Sequence, residues 1–308
     1  MKLSRSLIPA VIILVFTALV FTDCSKQRIA QNEYEEPMDF MYDNRPEEQE
    51  FVLDTGGNGP IIGNQGTHLY MDSSIFMFPG GGDVSYPIII KLIEVYTPKD
   101  MMLYELPTVS NGLLLTTGGE LRVRAFKNGV ELVLKPNKVY AAKAPTQNPD
   151  PEMGLFFGAE TGDGIVWNDN PSAISSSPNV DALESVTMDS AAFYNLLVPV
   201  MGWINCDYFA DYNQSAVTTV SYISTDDNLT GVMKFLYFTE LESVMQVNDV
   251  ESGNVPIGAH VKSVCFAMNS AGTMFYHLSE FDIAAGQQVD VTMQETTEAD
   301  LLALMGGL

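Results

Sequence analysis

Positive charge is what this sequence has least of. Fifteen Lys and Arg stand against 39 Asp and Glu in 308 residues, giving a formal net charge of −24. A nucleic-acid backbone repels such a chain, and so does an anionic lipid surface on which it would lie flat. The same field favours solubility and attracts divalent cations or basic partners. Histidine and cysteine are scarce as well, at three each. His68, His260 and His277 lie in strand-like surroundings without metal-ligand spacing, so each reads as an ordinary half-buried histidine. No Gly-x-Ser-x-Gly elbow and no paired-His helix motif occurs. Gly80 to Gly82 lacks the Lys-Ser/Thr of a phosphate-binding loop and opens no helix, which leaves a turn. The expectation is a non-enzyme without metal or cofactor.

What is present argues for a folded chain. Hydrophobic residues make up 46% and aromatic residues 10%, too much for a disordered protein. The length suits two domains of ordinary size, each with its own core. At the amino terminus Lys2 and Arg5 precede an almost unbroken apolar run from Leu7 to Thr22. Sixteen residues fall short of the ~20 of a bilayer span, so residues 1–23 read as an export signal. Cys24 follows directly. This arrangement resembles a bacterial lipoprotein signal, which implies acylation of Cys24; an uncleaved anchor and a plainly secreted form are the alternatives. Residues 24–50 read as a disordered acidic tether. Glu33, Glu35, Glu36, Asp39, Asp43, Glu47, Glu48 and Glu50 face a lone Arg45 between residues 31 and 50, and such a segment self-repels; docking of its aromatics Tyr34, Phe40 and Tyr42 on the body or on a partner is the minor alternative.

The clearest structural statement runs from Gly118 to Leu134. Asn128-Gly129 between two alternating runs signals a two-residue hairpin, because both central positions of a type I′ turn need φ > 0. Pairing Lys127 with Val130 sets Ala125 opposite Leu132 and Val123 opposite Leu134. Leu121, Val123, Ala125, Val130, Leu132 and Leu134 then share a dry face. Glu120, Arg122, Arg124 and Glu131 take the wetter one, and a one-residue slip would invert the pattern. Around this hairpin, short apolar runs alternate with turn clusters from residue 51 to 146, which indicates an all-β sandwich or barrel. Residues 147–190 read as a loop-rich linker. Within it Trp167-Asn168-Asp169-Asn170 is a candidate ligand-facing stretch, and Asp163 with Asp169 a weak calcium candidate outweighed by ordinary turn geometry. Residues 191–308 supply a second set of strands and a short final helix around Leu301 to Met305, capped by Thr297 with Asp300. The fold class is all-β, with two sandwiches and a short C-terminal helix.

Gly66-Thr67, Phe78-Pro79-Gly80, Glu94-Val95-Tyr96 with Asp100-Met101, Ser110-Asn111-Gly112 and Thr117-Gly118-Gly119-Glu120 together resemble a β-sandwich module of exported Gram-negative lipoproteins. The module is similar to the ZU-type sandwich of ankyrins and tight-junction scaffolds. Gly202-Trp203-Ile204-Asn205-Cys206-Asp207 resembles a motif that follows it in such proteins. The second half looks like the small regulatory sandwich attached to carboxypeptidases. The resemblance implies modules that bind and do no chemistry, and the absence of His-Phe-Ser implies no self-cleavage. Cys206 and Cys265 stand in apolar strand contexts in an exported chain, which suits either a disulfide or two buried free thiols.

These observations lead to an exported, lipid-anchored protein of the outer membrane or cell surface. Its sandwich surface would bind a protein or a glycan, its anchor the membrane, and nothing in it nucleic acid. Two alternatives remain from other classes. One is an envelope glycan hydrolase using Asp207 with Asp211, whose carboxyls would stand ~5–9 Å apart. The other is a structural assembly subunit.

Overall fold

The hairpin turn behaves as its residues dictate. In a computed structural model that describes residues 34–55, 59–147, 149–161, 164–170, 185–188, 193–224 and 229–308, Asn128 and Gly129 take φ of +52° and +78°. Lys127 pairs with Val130 and Phe126 with Glu131. Leu132 donates its N–H to the Ala125 carbonyl at 2.8 Å. Beyond it the register departs from expectation, and Leu134 pairs with Phe76. The reason is competition: Val123 already lies between Leu92 and Gly202 on the neighbouring strands. Leu121, Val123, Ala125, Leu132 and Leu134 are buried as the alternation requires, while Val130 at the turn is exposed.

The long strand Leu113–Lys127 is central to an eight-stranded sheet. Its neighbours run in the order Gln49–Leu53, Ile88–Val95, Leu113–Lys127, Gly202–Phe209, Gly154–Thr161 and Gly164–Asn168. Val109–Ser110 and Val130–Glu131 also pair with the long strand. A five-stranded sheet contains Ser185–Met188, Phe193–Val198, Tyr140–Pro145, His68–Tyr70 and Ile61–Ile62, in that order. Alternate residues of the two sheets, among them Ile90, Leu92, Val123 and Ile204 with Leu69, Ala142, Tyr194 and Leu196, form one apolar cluster. A second five-stranded sheet runs through Ser243–Gln246, Leu229–Phe238, His260–Asn269, Met274–Asp282 and Gln294–Thr296. Its core joins Leu236, Phe238, Val261 and Cys265 to Tyr222, Val289 and Val291 of the parallel pair Ser221–Ser224 and Gln288–Val291. The protein is thus mainly β and built on two sandwiches. Three helices accompany them among the described residues: α1 Pro37–Asp43, α2 Pro98–Tyr104 and α3 Glu298–Gly306. Thr297 caps α3 by accepting the Asp300 N–H at 3.2 Å. No helix among the described residues is long and apolar enough to cross a membrane.

Two expected boundaries move. The described parts of the linker 147–190 carry strands Gly154–Thr161, Gly164–Asn168 and Ser185–Met188, and Gly202–Phe209 lies beside the long strand, so the first sandwich extends to Phe209. Pro, Asn and Gly mark the turns between these strands, which is why composition alone reads the passage as linker. Asp163 and residues 175–178 lie outside the described residues, as do the signal segment and Cys24.

The acidic tether is also corrected over its second half. Pro37 occupies the first turn of α1, and the Glu36 N–H donates to the Asp39 carboxylate at 3.1 Å. Phe40 and Met41 are fully buried, and the Phe40 ring meets Phe266 edge-on at 5.8 Å. Charges that repel within the segment find distant partners. Glu48 takes Arg124 at 2.6 Å and Lys91 at 3.4 Å, and Arg45 reaches the Leu103 carbonyl and Glu105. Residues 49–53 then pair with Ile88–Val95 along the sheet edge. A segment average hides the two apolar side chains that dock it.

Candidate functional site

The two motifs singled out in sequence, Thr117-Gly118-Gly119-Glu120 and Asn205-Cys206-Asp207, are antiparallel neighbours. Asn205 pairs with Glu120 but Asp207 with Thr117, so Cys206 stands opposite both glycines and the long strand bulges there. Gly119 has φ of +123°, and a Cβ on it would lie 2.3 Å from the Tyr96 ring; one on Gly118 would lie 2.9 Å from Tyr194. The missing side chains let both rings close on the strand. Tyr96 shares a 2.7 Å hydrogen bond with the Thr67 hydroxyl, and the Tyr194 hydroxyl accepts the Asp150 N–H at 2.7 Å. Glu94 is buried and accepts the backbone N–H groups of Gln65 and Thr67 at 2.9 Å each, which fixes the turn beside Tyr96.

These elements enclose a cleft of about 500 Å³ between the two sandwiches. Thr117, Gly118 and Gly119 line it, with Tyr96, Tyr194 and Met153 from the first sandwich, Met101 from α2, and Tyr237 and Glu242 from the second. Gln65, Thr146 and Gln147 add polar groups. The halves are stitched together around it by backbone bonds from Thr108 N–H to the Val244 carbonyl at 2.9 Å and from Thr117 N–H to the Leu241 carbonyl at 3.4 Å. Its volume lies within the range of small-molecule clefts, and its lining mixes apolar and polar groups.

Next to the glycines the strand pair buries two carboxyls. Glu120 and Asp207 are both fully buried, and the Asn205 amide donates to each, at 3.4 Å and 2.5 Å. Thr117 Oγ1 donates to Asn205 Oδ1 at 3.2 Å and accepts the Gly119 N–H at 3.1 Å. Glu120 Oε2 and Asp207 Oδ1 have no hydrogen-bond partner among the described residues. Burial holds Glu120 well above the usual carboxylate range, and the neighbouring Asp207 charge adds to this. Burial does the same to Asp207, opposed in part by Thr117 and the Gly118 N–H. Burial therefore favours the protonated form of each, because an ionised carboxylate would lack the solvation it had in water.

Several sequence expectations resolve here. Asp207 is buried and Asp211 exposed, and the carboxyl that shares the Asn205 amide with Asp207 is Glu120. Cys206 and Cys265 are free, buried thiols in separate clusters, and no bridge joins them. Burial raises both, Cys265 to about 12, which makes neither a reactive thiol. Trp167 does not face a ligand: it is fully buried and donates Nε1–H to the Pro107 carbonyl at 2.9 Å. Among the histidines, the His68 ring lies 5.2 Å from that of Phe193 at an interplanar angle of 37°, and His277 Nδ1 meets the Thr292 backbone at 3.2 Å. His260 lies between Asp282 at 2.7 Å and Glu280 at 2.9 Å, and its bond to Asp282 above all raises its pKa. No three His, Cys, Asp or Glu side chains gather for a metal among the described residues. Glu120 escaped sequence reasoning because alternation places it on the wetter face and does not show what covers that face.

Gly119→Ala is expected to lower stability by more than the ~1–3 kcal/mol of a strained backbone alone, since its methyl also drives Tyr96 from the cleft wall. Gly112→Ala supplies the comparison, with φ of +78° and nothing within 4 Å of the added Cβ. Equal urea midpoints for the two variants would show that the glycine floor does not hold the Tyr96 ring. Comparison of the chain with protein-family models, with curated proteins and with solved structures finds no match in any of the three.

Proposed function

We propose that this chain is a non-catalytic, lipid-anchored binding protein of the Gram-negative cell envelope. It is exported through residues 1–23, held by an acyl chain on Cys24, and displays its two sandwiches at the outer membrane or cell surface to a protein or glycan partner. The observation that supports a binding role is the cleft between the sandwiches. Its wall is preset by Gly118 and Gly119 against two tyrosine rings whose hydroxyls are already engaged within the protein. A preformed wall loses little conformational freedom when a ligand enters. The export and anchoring half is supported by Lys2, Arg5, the apolar run to Thr22 and the position of Cys24.

Intact mass of the amino-terminal peptide from the membrane fraction of the native producer tests the anchor. An acylated Cys24 as first residue is the expected result, and an unmodified Met1 or cleavage elsewhere overturns it. A photo-crosslinker at Gln65, compared on whole cells with one at exposed Val52, tests the cleft. Products specific to Gln65 are expected, and the same products from both positions would remove the cleft as the binding surface.

A further inference from the structure

We infer that the cleft takes a protonated amine, presented as the side chain of a lysine-bearing partner segment. This rests on the binding reading of the cleft and adds what the cleft recognises. Tyr96 and Tyr237 line its wall, Tyr237 at 8% exposure, with Tyr194 packed behind the glycine floor. A cation beside an aromatic face is attracted by the ring quadrupole. Glu242 is the only residue with a formal charge that lines the cleft among the described residues; no Lys, Arg or His does. It is exposed, and it is fixed at φ of +52° in the turn between strands Leu229–Phe238 and Ser243–Gln246. That turn sets Glu242 close to Tyr237, whose hydroxyl is raised mainly by burial and further by the Glu242 charge.

The other ligand classes fit less well. An anion would meet Glu242 with no opposing cation in the lining. A purely apolar ligand would strip water from that carboxylate without replacing it. The whole chain also favours a cation, since its net charge of −24 draws positive partners toward it over a Debye length of ~8–10 Å. The exposed Gln147 amide and the Oε1 of Gln65, whose Nε2–H is taken by the Glu94 carbonyl at 2.9 Å, are groups of the kind that pair with a peptide backbone, which favours a polypeptide over a free amine.

The test is a calorimetric and NMR titration of the purified chain with a short acetylated Gly-Ser-Lys-Ser-Gly peptide, the same peptide carrying acetyl-lysine, and tetramethylammonium chloride. Glu242→Gln is compared with Glu131→Gln, which changes net charge equally on the exposed Val130–Glu131 strand. The lysine peptide is expected to bind and the acetyl-lysine peptide to lose about tenfold, the size of a cation–π contact combined with an ion pair. Glu242→Gln should weaken the lysine peptide about fivefold, and Glu131→Gln should leave it unchanged. Equal binding of both peptides, or equal effects of the two variants, overturns the inference. Tetramethylammonium binding as tightly as the peptide would overturn the polypeptide source and leave a free amine. Should chitotetraose shift the Gln65 and Tyr237 signals while no cation does, the cleft remains a binding site and the amine is wrong. If no probe shifts them, the binding reading falls with it.

Discussion

Phe40→Ala is expected to destabilise the folded chain by about 3–5 kcal/mol, the cost of truncating a fully buried phenylalanine. The ring sits at zero exposure against Phe266, which in turn stacks on Phe235 at 6.1 Å. Removing it opens a cavity between α1 and the second sandwich. Met38→Ala is the control, because Met38 on the same helix is 41% exposed and surface truncations stay within ~0.5 kcal/mol. Urea unfolding of the wild type and both variants decides the matter. If Phe40→Ala matched Met38→Ala, α1 would not be part of the folded body, and the acidic segment would be the free tether that its composition implies.

Glu120→Gln is expected to remove much of the protein's loss of stability at alkaline pH. The sign follows from the raised carboxyls. A group whose folded-state pKa lies above its unfolded value adds stability in full below the unfolded value, here the ordinary 4.5 of Glu120 and 3.8 of Asp207. That contribution is lost as pH rises toward and through the folded-state value. Each group removes about 1.4 kcal/mol per pH unit between its ordinary value and its raised folded-state value. The glutamine keeps the shape and still pairs with Asn205, yet has no proton to lose. Near pH 4 the variant should match the wild type within the ~1 kcal/mol of a rearranged hydrogen bond, and at pH 9 it should be clearly more stable. Parallel stability curves for the two proteins across this range would show that Glu120 does not carry its proton into the fold. Glu120→Ala is expected to destabilise at every pH, because it leaves the Asn205 amide and a cavity behind.

The legible part of this protein was local. Asn128-Gly129 specified its turn through backbone sterics, Thr297 with Asp300 specified the start of α3, and alternation placed Leu121, Val123 and Ala125 in the core. Short strands bounded by Gly, Pro and Asn specified an all-β architecture. Even the site left a local trace, since Thr117-Gly118-Gly119-Glu120 and Asn205-Cys206-Asp207 stand out as stretches where strand character is broken by glycine or by inward polar residues.

Tertiary structure decided what lies against those stretches. Period-two alternation assigns Glu120 a face of the sheet, but whether that face meets water depends on what closes over it from distant parts of the sequence. Asp207 has a carboxyl neighbour 87 positions away because two strands pair, while Asp211, four positions along, remains in solvent. Phe40 and Met41 overcome the repulsion of an acidic segment because Phe266, Lys91 and Arg124 await it. The sequence by itself thus determined backbone conformation and side-chain alternation, which depend on neighbouring residues. The cleft, the buried acids and the docking of α1 came from the tertiary structure, because burial and electrostatic pairing depend on which remote surfaces meet.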